Sequence, residues 1–301
     1  MSYDLFFRAR SPGRTISQEK FASFFAKRRC YEVKETQAWY SNENTGVYFS
    51  FDFKTPGEEL EDEHGSSLLP VSFNLNYYRP HPFGLEAEPE VAAFVEHFDV
   101  TVSDPQNSEM GDGEYTKDGF LQGWNAGNEF GYGAILSQEP EKKVMTQPSD
   151  MIESYWRWNY GIEARYAEIG VDAFVPRVFY FDLEGRVATG VAWGDAIPIL
   201  LPKVDLVLSP RDRLAPRRLL GSAKKDIVVF AWHELDAILK QYSKMPGDPI
   251  CYQLYYAKPP GHIGKLFRSK QPPNDLPKSI AFDEILNQEL VEKCRPTKIN
   301  P

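Results

Sequence analysis

The sequence predicts an α+β fold in which an N-terminal antiparallel sheet covered by two helices is followed by a helical hairpin and a second mixed α/β portion. Three observations predict it. Through the first hundred residues, segments of strict period-2 alternation are interrupted by two segments of helical period. Glycine then recurs at 119, 123, 127 and 131, ahead of a ring-rich helical pattern. From Phe174 onward the alternation returns between Asp/Gly turns.

Tyr3, Leu5, Phe7 and Ala9 alternate with Asp4, Phe6 and Arg8, which predicts the first strand. Thr15 with Gln18 has the form of a capping box, and Phe21, Phe24, Phe25 and Arg28 continue it at helical spacing. Tyr31 to Tyr40, Val47 to Phe53 and Val71 to Tyr77 read as a meander. The turn Asn42-Glu43-Asn44-Thr45-Gly46 closes its first hairpin, and a long connection from Thr55 to Pro70 closes its second. Val47, Phe49, Phe51 and Phe53, with Val71, Phe73, Leu75 and Tyr77, form an apolar face. Tyr48, Asn74, Asn76 and Tyr78 fall on the opposite, polar one. A second helix is expected to open near Pro89, with Val91, Phe94, Val95 and Phe98 on one side, and Val100 to Ser103 to add a strand.

Residues 105–170 read as a linker and a helical hairpin. A glycine inside a helix costs about 1 kcal/mol relative to alanine, so four of them require another group to fill the groove they leave. The helix expected from Ser149 to Ile169 carries Tyr155, Trp156, Trp158, Tyr160 and Tyr166, large enough to fill it. Beyond it come strands at Val175 to Phe181 and Arg186 to Trp193, apolar runs at Ile197 to Leu201 and Val204 to Leu208, and a short helix from His233 to Tyr242. A strand at Tyr252 to Tyr256, a basic Pro-rich loop from Lys258 to Pro277 and an amphipathic helix from Phe282 to Cys294 complete the pattern. The domain division predicted is 1–104, 105–170 and 171–301.

Charge is distributed unevenly. Between Glu58 and Glu141 there are 18 acids against only Arg79 and Lys117, a local net of −16, whereas residues 151–301 carry a net of +3. Such a field attracts cationic partners and repels nucleic acid and anionic membranes, so neither of those partners is expected. With 42% hydrophobic and 14% aromatic residues the chain has the composition of a folded protein rather than of a disordered acidic one. No run approaches the roughly 20 apolar residues that span a bilayer, and Met1 to Arg14 lacks a signal-peptide core, so a cytoplasmic protein is expected. Cys30, Cys251 and Cys294 are scattered and odd in number, which argues against a disulfide framework or a zinc site.

No catalytic motif is complete. His233-Glu234 opens an H-E-x-x-H pattern, but Ala237 stands where the second imidazole is needed. Gly261-His262-Ile263-Gly264-Lys265 ends like a phosphate-binding loop but lacks its glycine spacing, and Leu266 replaces the magnesium-holding hydroxyl. Gly221-Ser222-Ala223 is not a nucleophile elbow, and nothing in the spacing of His81, His97 and Cys30 brings them together. Asp104, Glu109, Asp112 and Glu114 depart from the EF-hand template. The basic cluster Lys203, Arg211, Arg213, Arg217, Arg218, Lys224 and Lys225 has no interleaved aromatics. No catalytic residue, metal ligand or cofactor is therefore assigned.

The opening Tyr3-Asp4-Leu5-Phe6-Phe7, the stretch from Gln37 to Ser50 (Gln-Ala-Trp-Tyr-Ser-Asn-Glu-Asn-Thr-Gly-Val-Tyr-Phe-Ser) and the segment Phe120 to Asn128 resemble uncharacterised bacterial proteins of the toxin-immunity type. The resemblance covers the first half of the chain and implies a class, not residue roles: a stoichiometric protein that neutralises a basic cognate toxin. Acid clusters and exposed aromatics suit such a partner. Its expected contact residues are Glu58, Glu59, Glu61, Asp62 and Glu63 with Tyr48, Asn74, Asn76 and Tyr78. An enzyme with an interdomain site is the alternative, as is a homo-oligomeric adaptor joined through the glycine ridge, which makes a homodimer possible.

Overall fold

Along the chain, the computed structural model places β1 (Ser2–Ala9), α1 (Gln18–Phe25), β2 (Tyr31–Val33), β3 (Gln37–Ser41), β4 (Tyr48–Phe53), β5 (Val71–Asn76), α2 (Pro82–Phe98), β6 (Val100–Ser103), β7 (Asp112–Gly113), α3 (Lys117–Gln138) and β8 (Met145–Gln147). There follow α4 (Ser149–Tyr160), α5 (Ile162–Ile169), β9 (Val178–Leu183), β10 (Arg186–Ala192), β11 (Ile199–Pro202), β12 (Leu206–Arg211), β13 (Asp226–Ala231), α6 (Trp232–Leu239), β14 (Ser243–Met245), β15 (Cys251–Leu254), α7 (Gly261–Ser269), β16 (Lys278–Ile280), β17 (Ile285–Asn287) and α8 (Gln288–Cys294). The structure describes residues 1–54, 68–106, 110–170, 172–215 and 225–295.

The fold is α+β, and the chain divides into two units, residues 1–149 with 282–301, and residues 150–281. That division differs from the expected 1–104, 105–170 and 171–301. α3, expected in a separate hairpin, belongs to the first unit, and so do β17 and α8, expected to end the last domain. Residues 282–294 are a short 3₁₀ turn, a strand and a seven-residue helix rather than one long helix, because β17 pairs in parallel with β8 from Ile285↔Met145 to Asn287↔Gln147.

In the first unit seven strands run in the order β2-β3-β4-β5-β1-β6-β7. β1 lies between β5 and β6 and is antiparallel to both, so the N-terminal strand is central rather than an edge. Its alternation decides what it buries: Tyr3, Leu5 and Phe7 are fully buried, as are Phe51, Phe73 and Leu75 across the same face. α1 lays Phe21 and Phe25 against Phe53 and Phe51, α2 lays Phe94 against Phe7 and Phe51, and α3 lays Phe120 against Tyr3 and Phe73. Each such ring contributes about 1.5–3 kcal/mol by leaving water. All three helices therefore sit on one face of the sheet, and among the described residues of this unit no helix lies on the other face.

Local details correct several sequence expectations. α1 is capped by Ser17, whose side chain accepts from the Lys20 N–H, while Gln18 donates to the Glu35 carbonyl, so the box at Thr15 and Gln18 does not form. α2 opens at Pro82 instead of Pro89. The later proline sits inside the helix, where a missing N–H and ring clash cost about 3 kcal/mol, and burial of Ala87, Val91, Phe94 and Val95 on the same helix opposes that cost. α3 is a single helix through all four glycines. Its groove is filled by Tyr77 rather than by rings of the following helix: a Cβ on Gly127 would overlap the Tyr77 hydroxyl, and one on Gly131 would lie 3.0 Å from the Tyr77 Cβ. At Gly127 and Gly131 the glycine ridge is thus packed against Tyr77 within this unit. Behind it, Tyr132 and Leu136 of α3 join Leu286 and Val291 in a smaller cluster.

The second unit contains a five-stranded sheet, β13-β12-β10-β9-β16, with only β10 and β12 parallel, and a three-stranded antiparallel sheet, β11-β15-β14. Gly161 separates α4 from α5, so the expected single helix over 149–169 is two. The stretch expected as a basic loop contains α7, whose Phe267 packs edge-on to Trp193 and against Phe230. Arg211 belonged to the expected basic cluster and is buried. It forms a two-pronged pair with Asp226 at 2.7 Å and donates to the Phe267 and Lys270 carbonyls at the end of α7, where a cation complements the helix dipole. Lys225 pairs with Asp212, and Arg217, Arg218 and Lys224 lie outside the described residues.

Candidate functional site

The open face of the first sheet is built by register. Glu32↔Trp39, Trp39↔Ser50, Ser50↔Asn74 and Asn74↔Asp4 are successive cross-strand pairs, giving one continuous row over β2, β3, β4, β5 and β1. The neighbouring row is Gln37, Asp52, Ser72, Phe6, Ser103 and Asp112. Side chains opposite one another in such rows stand close enough to bond. Gln37 Nε2 donates to Asp52 Oδ1 at 2.8 Å and Ser50 Oγ to Asp52 Oδ2 at 2.8 Å. Asn74 Nδ2 donates to Asp4 Oδ1 at 2.5 Å and Ser2 Oγ to Asp4 Oδ2 at 2.8 Å. Each carboxylate is held by two neutral donors, and among the described residues neither has a basic partner. Trp39 and Tyr48 stack beside them, ring centroids 5.6 Å apart.

Of the expected contact residues, Tyr48, Asn74 and Asn76 lie on β4 and β5 as predicted, with Asn76 exposed and the other two half-buried. The Tyr48 hydroxyl donates to Asp283 at 2.8 Å and accepts from Arg79 at 3.1 Å. Burial first, and then the bond to Asp283, raise its phenol above the ordinary value. Tyr78 is not part of the face: it follows the strand at a φ of 62°, which breaks the alternation, and its ring packs on Tyr132 at 5.1 Å. Asn128 holds that bend by accepting from the Tyr78 N–H at 2.7 Å. Glu58, Glu59, Glu61, Asp62 and Glu63 lie outside the described residues. Trp39, Asp4, Asp52 and Glu32 were missed. Period-2 alternation puts each on the polar side of its strand, but the alignment of those strands depends on β1 pairing with β5.

The acid-rich stretch is partly compensated. Asp99 pairs with Arg10 and Arg14, Asp112 with Arg8, Glu114 with Arg10, Glu90 with Arg28, Glu129 with Lys293 and Glu139 with Lys142. All of these bases come from outside the stretch. Such exposed pairs contribute little stability, about 0–1 kcal/mol, but they flatten the local field. Over the whole unit 28 acids against 16 bases still leave a net of −12.

Three further acids of the stretch point inward. Glu86 is 1% exposed, and its Oε1 accepts from Tyr40 at 2.8 Å, Asn42 at 2.7 Å and Thr45 at 3.0 Å, which ties α2 to the Asn42–Gly46 turn. Burial, then the Glu86 charge, raise the Tyr40 phenol far above its ordinary value. Glu88 accepts from Tyr115 and Asp104 from Tyr3. The remaining titratable candidates are engaged separately. His81 Nδ1 meets Asn287 Nδ2 at 2.7 Å, His97 stacks on Phe24, and Cys30 has its thiol raised by burial. Among the described residues no group of three His, Cys, Asp or Glu is placed to hold a metal ion, and no helix is long and apolar enough to cross a membrane.

No family model, curated protein or solved structure matches the chain.

Proposed function

We propose that the chain is a stoichiometric binding protein that takes a basic protein partner on the open face of the seven-stranded sheet, in the manner of cytoplasmic bacterial immunity proteins that neutralise a cognate toxin. One observation carries this reading. Asp4 and Asp52 stand on a half-exposed surface, oriented by neutral donors and without a basic partner among the described residues, next to the stacked Trp39 and Tyr48. A carboxylate positioned in this way can receive a Lys or Arg from outside with little reorganisation, and charge-assisted bonds of that kind are about twice as strong as neutral ones. The aromatic pair adds the apolar anchor that concentrates binding energy. The net of −12 on the unit accelerates encounter with a cationic partner, and Glu58, Glu59, Glu61, Asp62 and Glu63, between β4 and β5 in the chain, would add to that attraction.

The test pairs this chain with the product of the adjacent gene, co-expressed and purified at low and high salt. The reading expects a 1:1 complex that weakens as salt rises, relief of growth inhibition caused by the neighbour alone, and loss of both in Asp52→Lys and Trp39→Ala. A complex equally tight in both variants would remove the face as the contact surface. No complex with any neighbouring product, together with no relief of toxicity, would remove the class.

A further inference from the structure

The second unit contains a cavity of about 250 Å³ bordered by α4, α5, β11, β15 and the 245–249 turn. Its apolar wall is Trp158, Ile169, Leu200, Pro249 and Cys251. Trp158 is 1% exposed and fixed, its indole N–H donating to the Pro176 carbonyl at 2.8 Å. Against this wall lies Arg165, its guanidinium carbon 4.5 Å from the Trp158 ring centroid and Nη1 donating to the Trp158 carbonyl at 2.9 Å. A side chain on Gly161 would overlap that guanidinium, so the helix break gives it room.

Arg165 has no carboxylate partner among the described residues. Glu168 is exposed and does not bond it, and the Asp248 carboxylate accepts from Ser154 at 2.5 Å. Burial lowers the Arg165 guanidinium from its ordinary value, the direction expected of a desolvated cation without a paired anion. On the same lining, the Tyr255 hydroxyl is buried and has no hydrogen-bond partner. A half-buried cation without a carboxylate partner and a buried orphaned hydroxyl thus belong to two residues that border one cavity; each is costly alone, and a single anionic head group reaching both would satisfy them.

We infer that this cavity binds a small apolar monocarboxylate, its carboxylate on Arg165 and the Tyr255 hydroxyl and its hydrocarbon body against Trp158, Leu200 and Ile169. A dianion is disfavoured, because one guanidinium offsets only one charge and Asp248 and Glu168 border the same opening. The site lies wholly within residues 150–281 and is independent of the sheet face in the first unit.

Benzoate is the probe, with benzyl alcohol and inorganic phosphate as controls, titrated into the full chain and followed by calorimetry and by backbone amide shifts. Benzoate is expected to bind with shifts centred on Arg165, Gln253 and Tyr255, and benzyl alcohol and phosphate to bind at least about tenfold more weakly. Arg165→Gln should weaken benzoate by about tenfold or more, and Tyr255→Phe by about threefold to tenfold. Arg165→Lys, which keeps the charge but not the two-pronged geometry, should retain part of the affinity and covers the case in which Arg165→Gln fails to fold. Equal binding of the alcohol and the acid, shifts that map elsewhere, unchanged affinity in a folded Arg165 variant, or no binding of benzoate would each overturn the assignment.

Discussion

The two faces of the seven-stranded sheet share every backbone hydrogen bond and differ only in which alternate residue they display. One is closed by Phe7, Phe51, Phe73 and Phe94 under three helices. The other carries Asp4, Asn74, Asp52 and Gln37 in rows joined by side-chain bonds. Apolar area leaving water supplies stability, whereas polar groups that exchange water for one another contribute little net. Stability and recognition are thereby separated by a one-residue offset, and the two faces should respond to mutation in opposite ways.

The largest effect belongs to the closed face. Phe51→Ala removes a fully buried ring in contact with Phe25, Phe73 and Phe94, and denaturant titration should show a loss of about 3–5 kcal/mol. Glu86→Leu comes next, because it leaves Tyr40, Asn42 and Thr45 buried without their common acceptor. A loss of about 2–3 kcal/mol by the same titration is expected, and a neutral result would show that those donors find water. Gly127→Ala places a methyl group on the Tyr77 hydroxyl and should cost about 1–3 kcal/mol with no change in oligomeric state by light scattering.

The open face should behave otherwise. Trp39→Ala and Asp52→Lys are expected to shift stability by less than about 1 kcal/mol while weakening the partner complex by about 2 kcal/mol or more. Comparable losses of stability on both faces would break the separation. The smallest effect is one of pH. Burial and Glu86 raise the Tyr40 phenol, and burial raises Tyr3 and Tyr77, so the folded state retains protons that the unfolded state releases near pH 10. The stability contributed by these groups is therefore intact below about pH 10 and is lost as pH rises from there towards the folded values. Tyr40→Phe should make that alkaline decline shallower, measured as the unfolding midpoint from pH 8 to 11.

The sheet was legible where alternation was strict: β1, β4 and β5 follow directly from their Phe and Tyr positions. Strand order was not, because a period of two states which side faces in but not which neighbour is chosen, and β1 between β5 and β6 is a long-range choice. Pro89 misplaced the start of α2, since an interior proline and a first-position proline look alike in sequence. The glycines of α3 announced a close approach but not its partner, Tyr77, which lies fifty residues before Gly127. At the candidate site, Tyr48, Asn74 and Asn76 could be read from alternation, whereas Asp4, Trp39 and Asp52 needed the register. In Tyr78, one residue of positive φ ended the pattern two positions after β5.

The pairing of β8 with β17 joins strands separated in the chain by the whole second unit, residues 150–281. On a ribosome adding about 5–20 residues per second, β8 waits on the order of ten seconds for its neighbour strand. The second unit emerges, and has time to fold, while the first still lacks β17 and the Leu286 and Val291 side chains that cover Tyr132 and Leu136. A chain truncated before Phe282 and released from the ribosome should therefore carry an inserted unit more protected from protease than the unit that was begun before it.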